Sequence, residues 1–196
     1  MPTIGHLAVG LLGARVGKRP PRVSLWVWAA ILVAVSFAPD LDVLGLRLGI
    51  PYEAPFGHRG AFHSPVFAAL CGIVVGGLVW AARGPAVLVA VTVAVVMASH
   101  GVLDAFTDGG KGLALLWPLS DDRFFAPWRP IPVAPLGLGM LSRRGAAVVL
   151  QEMLLFLPLL VVALWPWRFG AGKERAVQRG YLDSSVKRKV SSGPSS

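Results

Sequence analysis

Five stretches of the chain run almost without charge, separated by short polar links. Val23–Ala38 has 16 residues without a charge and Pro65–Ala82 has 18. Ala86–Ser99 stays apolar and extends through Phe106, and Ala146–Trp167 has 22 residues with one acid, Glu152, near its start. Ile4–Val16 is apolar with one terminal arginine, and is short for an easy crossing. Segments that are apolar on every face and approach about 20 residues are membrane helices rather than amphipathic helices of a soluble core. The pattern predicts an all-α polytopic membrane protein with about five membrane-inserted helices. A membrane-embedded domain, 1–168, and a basic tail without regular structure, 169–196, use up the 196 residues and leave no room for a separate soluble domain. Met1–His6 carries no lysine or arginine, so the first segment reads as a helix rather than a secretory leader.

Composition agrees with this pattern: 55% of residues are hydrophobic and the mean hydropathy is +0.64. The net charge of +9 first suggests a nucleic-acid partner. Seven of the nineteen basic residues, however, lie after Trp167, and the others flank the apolar runs, as membrane anchoring requires. The expected partner is therefore the membrane and no nucleic acid; oligomeric state is left open. If all five segments cross, Gly17–Arg22, Arg83–Gly84 and the tail share one side. Pro39–Ser64 and Thr107–Gly145 share the other with the N-terminus. Arg15, Lys18, Arg19, Arg22 and Arg83 crowd the short links, whereas the opposite loops spread their basic residues thinly. This density predicts a cytoplasmic C-terminus and external long loops. The single cysteine, Cys71, excludes a disulfide framework.

The chemistry lies in the polar residues that interrupt the pattern. The chain has four histidines, and all fall at the same predicted membrane face: His6, His58, His63 and His100. Asp40, Asp42, Asp104 and Asp108 accompany them. His100 and Asp104 are spaced i, i+4, so they share one helix face and can hold a metal; a buried hydrogen bond that staples two helices would explain the pair equally well. In "PDLD", Pro39 marks a helix end, and Asp40 and Asp42 sit where the helix dipole disfavours anions. A metal or Arg59 would offset them, unless they are a solvated turn. In "GHRGAFHSP", Ser64 and Pro65 are a helix start, which leaves His58, Arg59 and His63 unexplained by capping. Imidazole and carboxylate together suit zinc, with manganese or iron as alternatives. The expected ligands are His6, Asp40, Asp42, His58, His63, His100 and Asp104. With no cysteine among them, a closed thiolate site is excluded, and positions remain for water.

Taken in order, His6, "PDLD" (Pro39–Asp42), "HRGAFHS" (His58–Ser64), "HGVLDAFTDGG" (His100–Gly110) and "LLWPLS" (Leu115–Ser120) resemble the YdjM-like family of membrane-bound metal-dependent hydrolases. The resemblance spans roughly residues 1–120 and implies a bacterial or archaeal inner-membrane protein with a hydrolase assignment but no fixed substrate. The order of early His, loop Asp, His and HxxxD is also similar to the ligand order of zinc-dependent phospholipases C and fungal zinc nucleases, soluble helical enzymes with three zinc ions. The His-rich motif that follows HxxxD in those enzymes is missing, since no histidine follows His100. One or two ions are expected here rather than three.

The expected function is hydrolysis of a phosphate ester in a lipid or lipid-linked substrate, at the external face, by metal-activated water. Asp42 or Asp108 is the expected general base. Arg59, helped by Lys111 or Arg123, is expected to hold the phosphate, with Thr107 beside the ligands. Two other functions use the same residues. A divalent-cation transporter or channel would need an ionisable path across the membrane, and nothing charged continues toward the cytoplasmic side. A non-catalytic scaffold would use the cluster only to lock helices.

Overall fold

The computed structural model describes residues 2–133, 135, 139 and 141–165. The expected basic tail, 169–196, lies outside the described residues. Five helices of thirteen residues or more account for the five apolar stretches: α1 (Thr3–Val16), α2 (Leu25–Phe37), α4 (Pro65–Ala81), α5 (Ala86–Ala105) and α6 (Arg143–Leu164). A five-residue helix, α3 (Val43–Arg47), follows α2. Among the described residues three segments are long and apolar enough to cross a membrane, Leu25–Arg47, Ala86–Ala105 and Arg143–Leu164; α1 and α4 are shorter. At 1.5 Å per residue the 14 residues of α1 reach only about 21 Å against a hydrocarbon core of about 30 Å.

The boundaries follow local chemistry. Ser24 caps α2 by accepting the Val27 N–H, so that helix starts two residues later than the charge-free run. Ser64 accepts the Phe67 N–H and Pro65 occupies the first position of α4, where its missing N–H has no cost. Helix α6 begins at Arg143, three residues before the apolar run, because Ser142 caps it through the Gly145 N–H and the Arg143 and Arg144 side chains stay exposed. Pro39 marks the end of the α-helix, as expected, and the chain beyond it keeps turning. The α-helix stops at Phe37, and Ala38–Asp42 continues as a 3-10 turn into α3. Proline near the start of that turn surrenders only a donor that has no partner there.

The helices pack through small residues, as expected where lipid supplies no hydrophobic drive between them. On α4, Ala68, Gly72 and Gly76 form a buried stripe at four-residue spacing against α5. A Cβ added at Gly72 would lie 2.5 Å from the Ala90 carbonyl oxygen. Between α1 and α2, a Cβ at Gly10 would lie 2.6 Å from the Val33 Cα. The interior holds Trp28, Leu32, Val89, Val93 and Val96, while Trp26, Leu78, Val87 and Val95 point outward and are well exposed, the surface a lipid contact needs. A long connection, from Thr107 onward, folds back over the end of α5. Asp108 N–H donates to the Ile131 carbonyl at 3.0 Å, Ile131 N–H to Phe106 at 3.2 Å, and Leu113 and Phe124 exchange backbone hydrogen bonds.

Candidate metal centre

Each polar motif is delivered to the centre by the end of a helix. His6 stands on the first turns of α1, Asp40 and Asp42 on the turn after α2, and His63 on the Ala61–His63 turn before α4. His100 and Asp104 stand on the last turns of α5. Gly101 makes the approach possible: a Cβ there would lie 2.3 Å from the His63 carbonyl oxygen.

Asp40, His63, His100 and Asp104 form a buried group whose donor atoms all lie within 4.8 Å of one another, and which could hold a metal ion. His63 Nε2 and His100 Nε2 are 3.1 Å apart. Asp40 reaches both, Oδ2 at 3.4 Å from His100 Nε2 and Oδ1 at 3.7 Å from His63 Nε2. Asp104 Oδ2 is 4.0 Å from His63 Nε2. Two imidazole nitrogens on one tetrahedral zinc, at about 2.0–2.1 Å each, stand about 3.3 Å apart, so these spacings bracket those of a shared ion.

The ring tautomers point the same way. His100 Nδ1 lies 2.7 Å from the Ser36 carbonyl oxygen, which can only accept, so Nδ1 carries the proton. The Ser36 carbonyl is one of those left open where α2 ends. His63 Nδ1 lies 3.2 Å from Asp42 Oδ2, and that carboxylate favours a proton on the same nitrogen. Both Nε2 lone pairs then face each other, and only a proton or a cation between them makes that arrangement stable. This is the usual way a protein orients metal-binding histidines, one nitrogen held by a carbonyl or carboxylate and the other free for the ion.

Unpaired acceptors add to the case. Neither oxygen of Asp40, 5% exposed, has a hydrogen-bond partner among the described residues, and neither ring nitrogen of the fully buried His6 has one. Of the buried carboxylates, Asp104 pairs with the Arg59 guanidinium at 3.0 Å, whereas Asp40 faces only the His63 and His100 imidazoles. An uncompensated buried carboxylate costs several kcal/mol, so the donor set fits a divalent cation. At His63, burial alone would push the imidazole down, but Asp40 and Asp42 outweigh it and hold the ring above its ordinary value.

The other expected residues take separate positions around this group. His6 stacks on His100, with ring centroids 3.9 Å apart, and its Nε2 lies 3.6 Å from Asp104 Oδ1. Asp42 stands behind His63 rather than among the donors; Oδ1 lies 2.5 Å from His58 Nδ1, and Oδ2 accepts the Arg59 N–H at 2.9 Å. His58 is partly exposed. Arg59 is buried with φ at +64°, a strained conformation for a residue with a side chain. That conformation aims its N–H at Asp42 while its Nη2 lies 3.0 Å from Asp104 Oδ2. Arg59 also donates to the Gly109 carbonyl at 2.6 Å and to Thr107 Oγ1 at 3.2 Å.

Asp108, Lys111 and Arg123 are not brought into the donor group. Asp108 is exposed, and its Oδ1 accepts the Val133 N–H at 2.7 Å, an order-giving contact in the long connection. Lys111 is exposed and pairs with Glu53, whose carboxyl it holds below the ordinary value. Arg123 donates to the His58 carbonyl at 3.0 Å and the Tyr52 carbonyl at 2.8 Å, fixing the loop that carries His58. Glu152 went unassigned in the sequence. It is 1% exposed and its Oε2 accepts the Ile4 N–H at 2.7 Å, two residues before His6. As the one acid in its apolar segment it was conspicuous, but its backbone partner was invisible.

A family model described as YdjM inner membrane protein matches residues 1–170. The chain belongs to the YdjM inner membrane protein family. This YdjM-family chain is also 42% identical over 180 residues to the Escherichia coli (strain K12) inner membrane protein YbcI, with 86% of this chain and 99% of that protein covered. No solved structure matches it. The family match thus reaches beyond the first 120 residues, and the chain is an inner membrane protein with several candidate spans.

Proposed function

We propose that the protein is a membrane-bound metal-dependent hydrolase that cleaves a phosphate ester of a lipid or lipid-linked substrate at the external face. The observation that carries this reading is the buried Asp40, His63, His100 and Asp104 group, with two imidazole lone pairs 3.1 Å apart and a carboxylate that has no other partner. These four residues would hold a divalent ion, zinc in the first instance, with manganese or iron as alternatives; His6 Nε2, 3.6 Å from Asp104 Oδ1, would be the further donor to a second ion. When bound, such an ion acidifies water and polarises an ester.

The chain's own residues supply the rest. Asp42 fixes the His63 and His58 rings, leaving His58 Nε2 as the nitrogen that exchanges a proton with the solvent-facing side. A His–Asp pair of this kind is a general base or acid, with the carboxylate as its orienter. Arg59 aligns Asp104, and its buried Nε–H, without a partner among the described residues, is the donor left for a substrate oxygen. Thr107 and the Gly109 carbonyl hold that guanidinium in place.

Hydrolysis of phosphate-ester lipids by the purified protein in nanodiscs is the test. Product is expected with metal, and should be lost on chelation and in Asp40→Asn. Equal product from wild type and Asp40→Asn would overturn the proposal.

A further inference from the structure

A cavity of about 580 Å³ lies beside the donor group, within the size range of small-molecule pockets. Leu44, Leu48, Phe62, Phe67 and Cys71 line it, and Asp42 is the one acidic residue in its wall. Consecutive residues divide between cavity and centre twice. In "DLD", Leu41 lines the cavity while Asp40 belongs to the donor group. In the Ala61–His63 turn, Phe62 lines the cavity while His63 carries Nε2 to the donors. A 3-10 turn sends neighbouring side chains about 120° apart, so one short element forms a wall of each space.

The cavity has little to offer a polar ligand, since a water or a sugar needs several polar partners and the wall supplies one carboxylate. Its aromatic side is packed, with Phe62 and Phe67 ring centroids 4.9 Å apart and Phe56 and Phe62 5.9 Å apart. On the other side Leu44 and Leu48 are 50% and 81% exposed, so a hydrocarbon chain can enter from the lipid without crossing a polar surface. We propose that this cavity receives a hydrocarbon chain of the substrate, placing its phosphate head at the donor group; the substrate class is a long-chain phosphate ester rather than a soluble one. This rests on the hydrolase reading for the word substrate, and on the cavity alone for the chain.

The test uses the full chain and a long-chain alkyl phosphate with a diazirine at mid-chain. After photolysis, label is expected on Leu41–Ile50 and Phe67–Cys71, in excess over outward-facing Val87 and Val95. Gly45→Phe, which projects a ring into the cavity, should reduce that label several-fold, and Leu48→Trp serves if the first variant does not fold. Label spread over outward-facing residues and unchanged by either variant would overturn the proposal. So would cavity label displaced by raising the protein concentration, the sign of a second copy seated there. Elemental analysis of the same samples separates the two readings. Cavity label in a protein that takes up no metal would keep the chain site and sink the hydrolase. Metal without cavity label would sink the chain site alone.

Discussion

Asp40 and Asp42 are two residues apart and have different work. Asp40 has no partner but the imidazoles across the centre, whereas Asp42 is spent on His58, His63 and the Arg59 backbone. Asp42→Asn should therefore leave the four-donor group complete yet lower metal affinity about 10–100-fold, measured by chelator competition, as loss of a carboxylate that orients a ligand does elsewhere. His63 gives a pH dependence with a definite sign. In metal-free protein its protonated ring is favoured by folding, so that stabilisation is full below its unfolded value near 6.5 and is lost as pH rises through the higher folded value. Metal-free protein should thus melt at lower temperature at about pH 9 than at about pH 6, while metal, which competes for the same nitrogen, should bind more tightly over that rise. Rising stability of the metal-free form would contradict it. The histidines were legible because imidazole is rare in apolar sequence and all four fell at one predicted face. What each held was not, since the Ser36 carbonyl and the Ile4 N–H belong to the backbone and carry no signature of residue type.

The elements were legible from their apolar runs because lipid demands unbroken helices. Their ends were set by features smaller than the pattern: Ser24 and Ser142 as caps, and Pro39 leading into a 3-10 turn. That turn is what places Asp40 at the donor group and Leu41 in the cavity wall, and no periodicity predicts it. Asp108 illustrates the converse, a residue with the right chemistry in the right motif that the fold of the Thr107–Val133 connection turns outward. Close helix contact is the other element-scale feature. Gly10→Leu would drive a side chain into the Val33 backbone and should destabilise the protein by about 1–3 kcal/mol or more in a thermal melt in detergent. Gly77→Leu on the exposed face of α4, where an added Cβ meets nothing within 4 Å, should be tolerated. Equal losses from both would refute the packing described.

Across the whole molecule, the ends of four helical segments and two turns meet at one centre, so metal, helix packing and membrane orientation are linked. The density of Arg15, Lys18, Arg19, Arg22 and Arg83 predicts which end faces the cytoplasm. In a cysteine-free background, Cys at position 53 should react with an impermeant maleimide in intact cells, and Cys at position 19 only after permeabilisation. The reverse result would put the centre at the cytoplasmic face. The central claim, that the buried histidines and aspartates hold a divalent ion, is tested most directly by metal content per chain. Purified wild type should carry one or two ions and His100→Ala should lose them while remaining folded. Equal metal in both, or none in wild type after incubation with zinc, manganese and iron, would contradict the account.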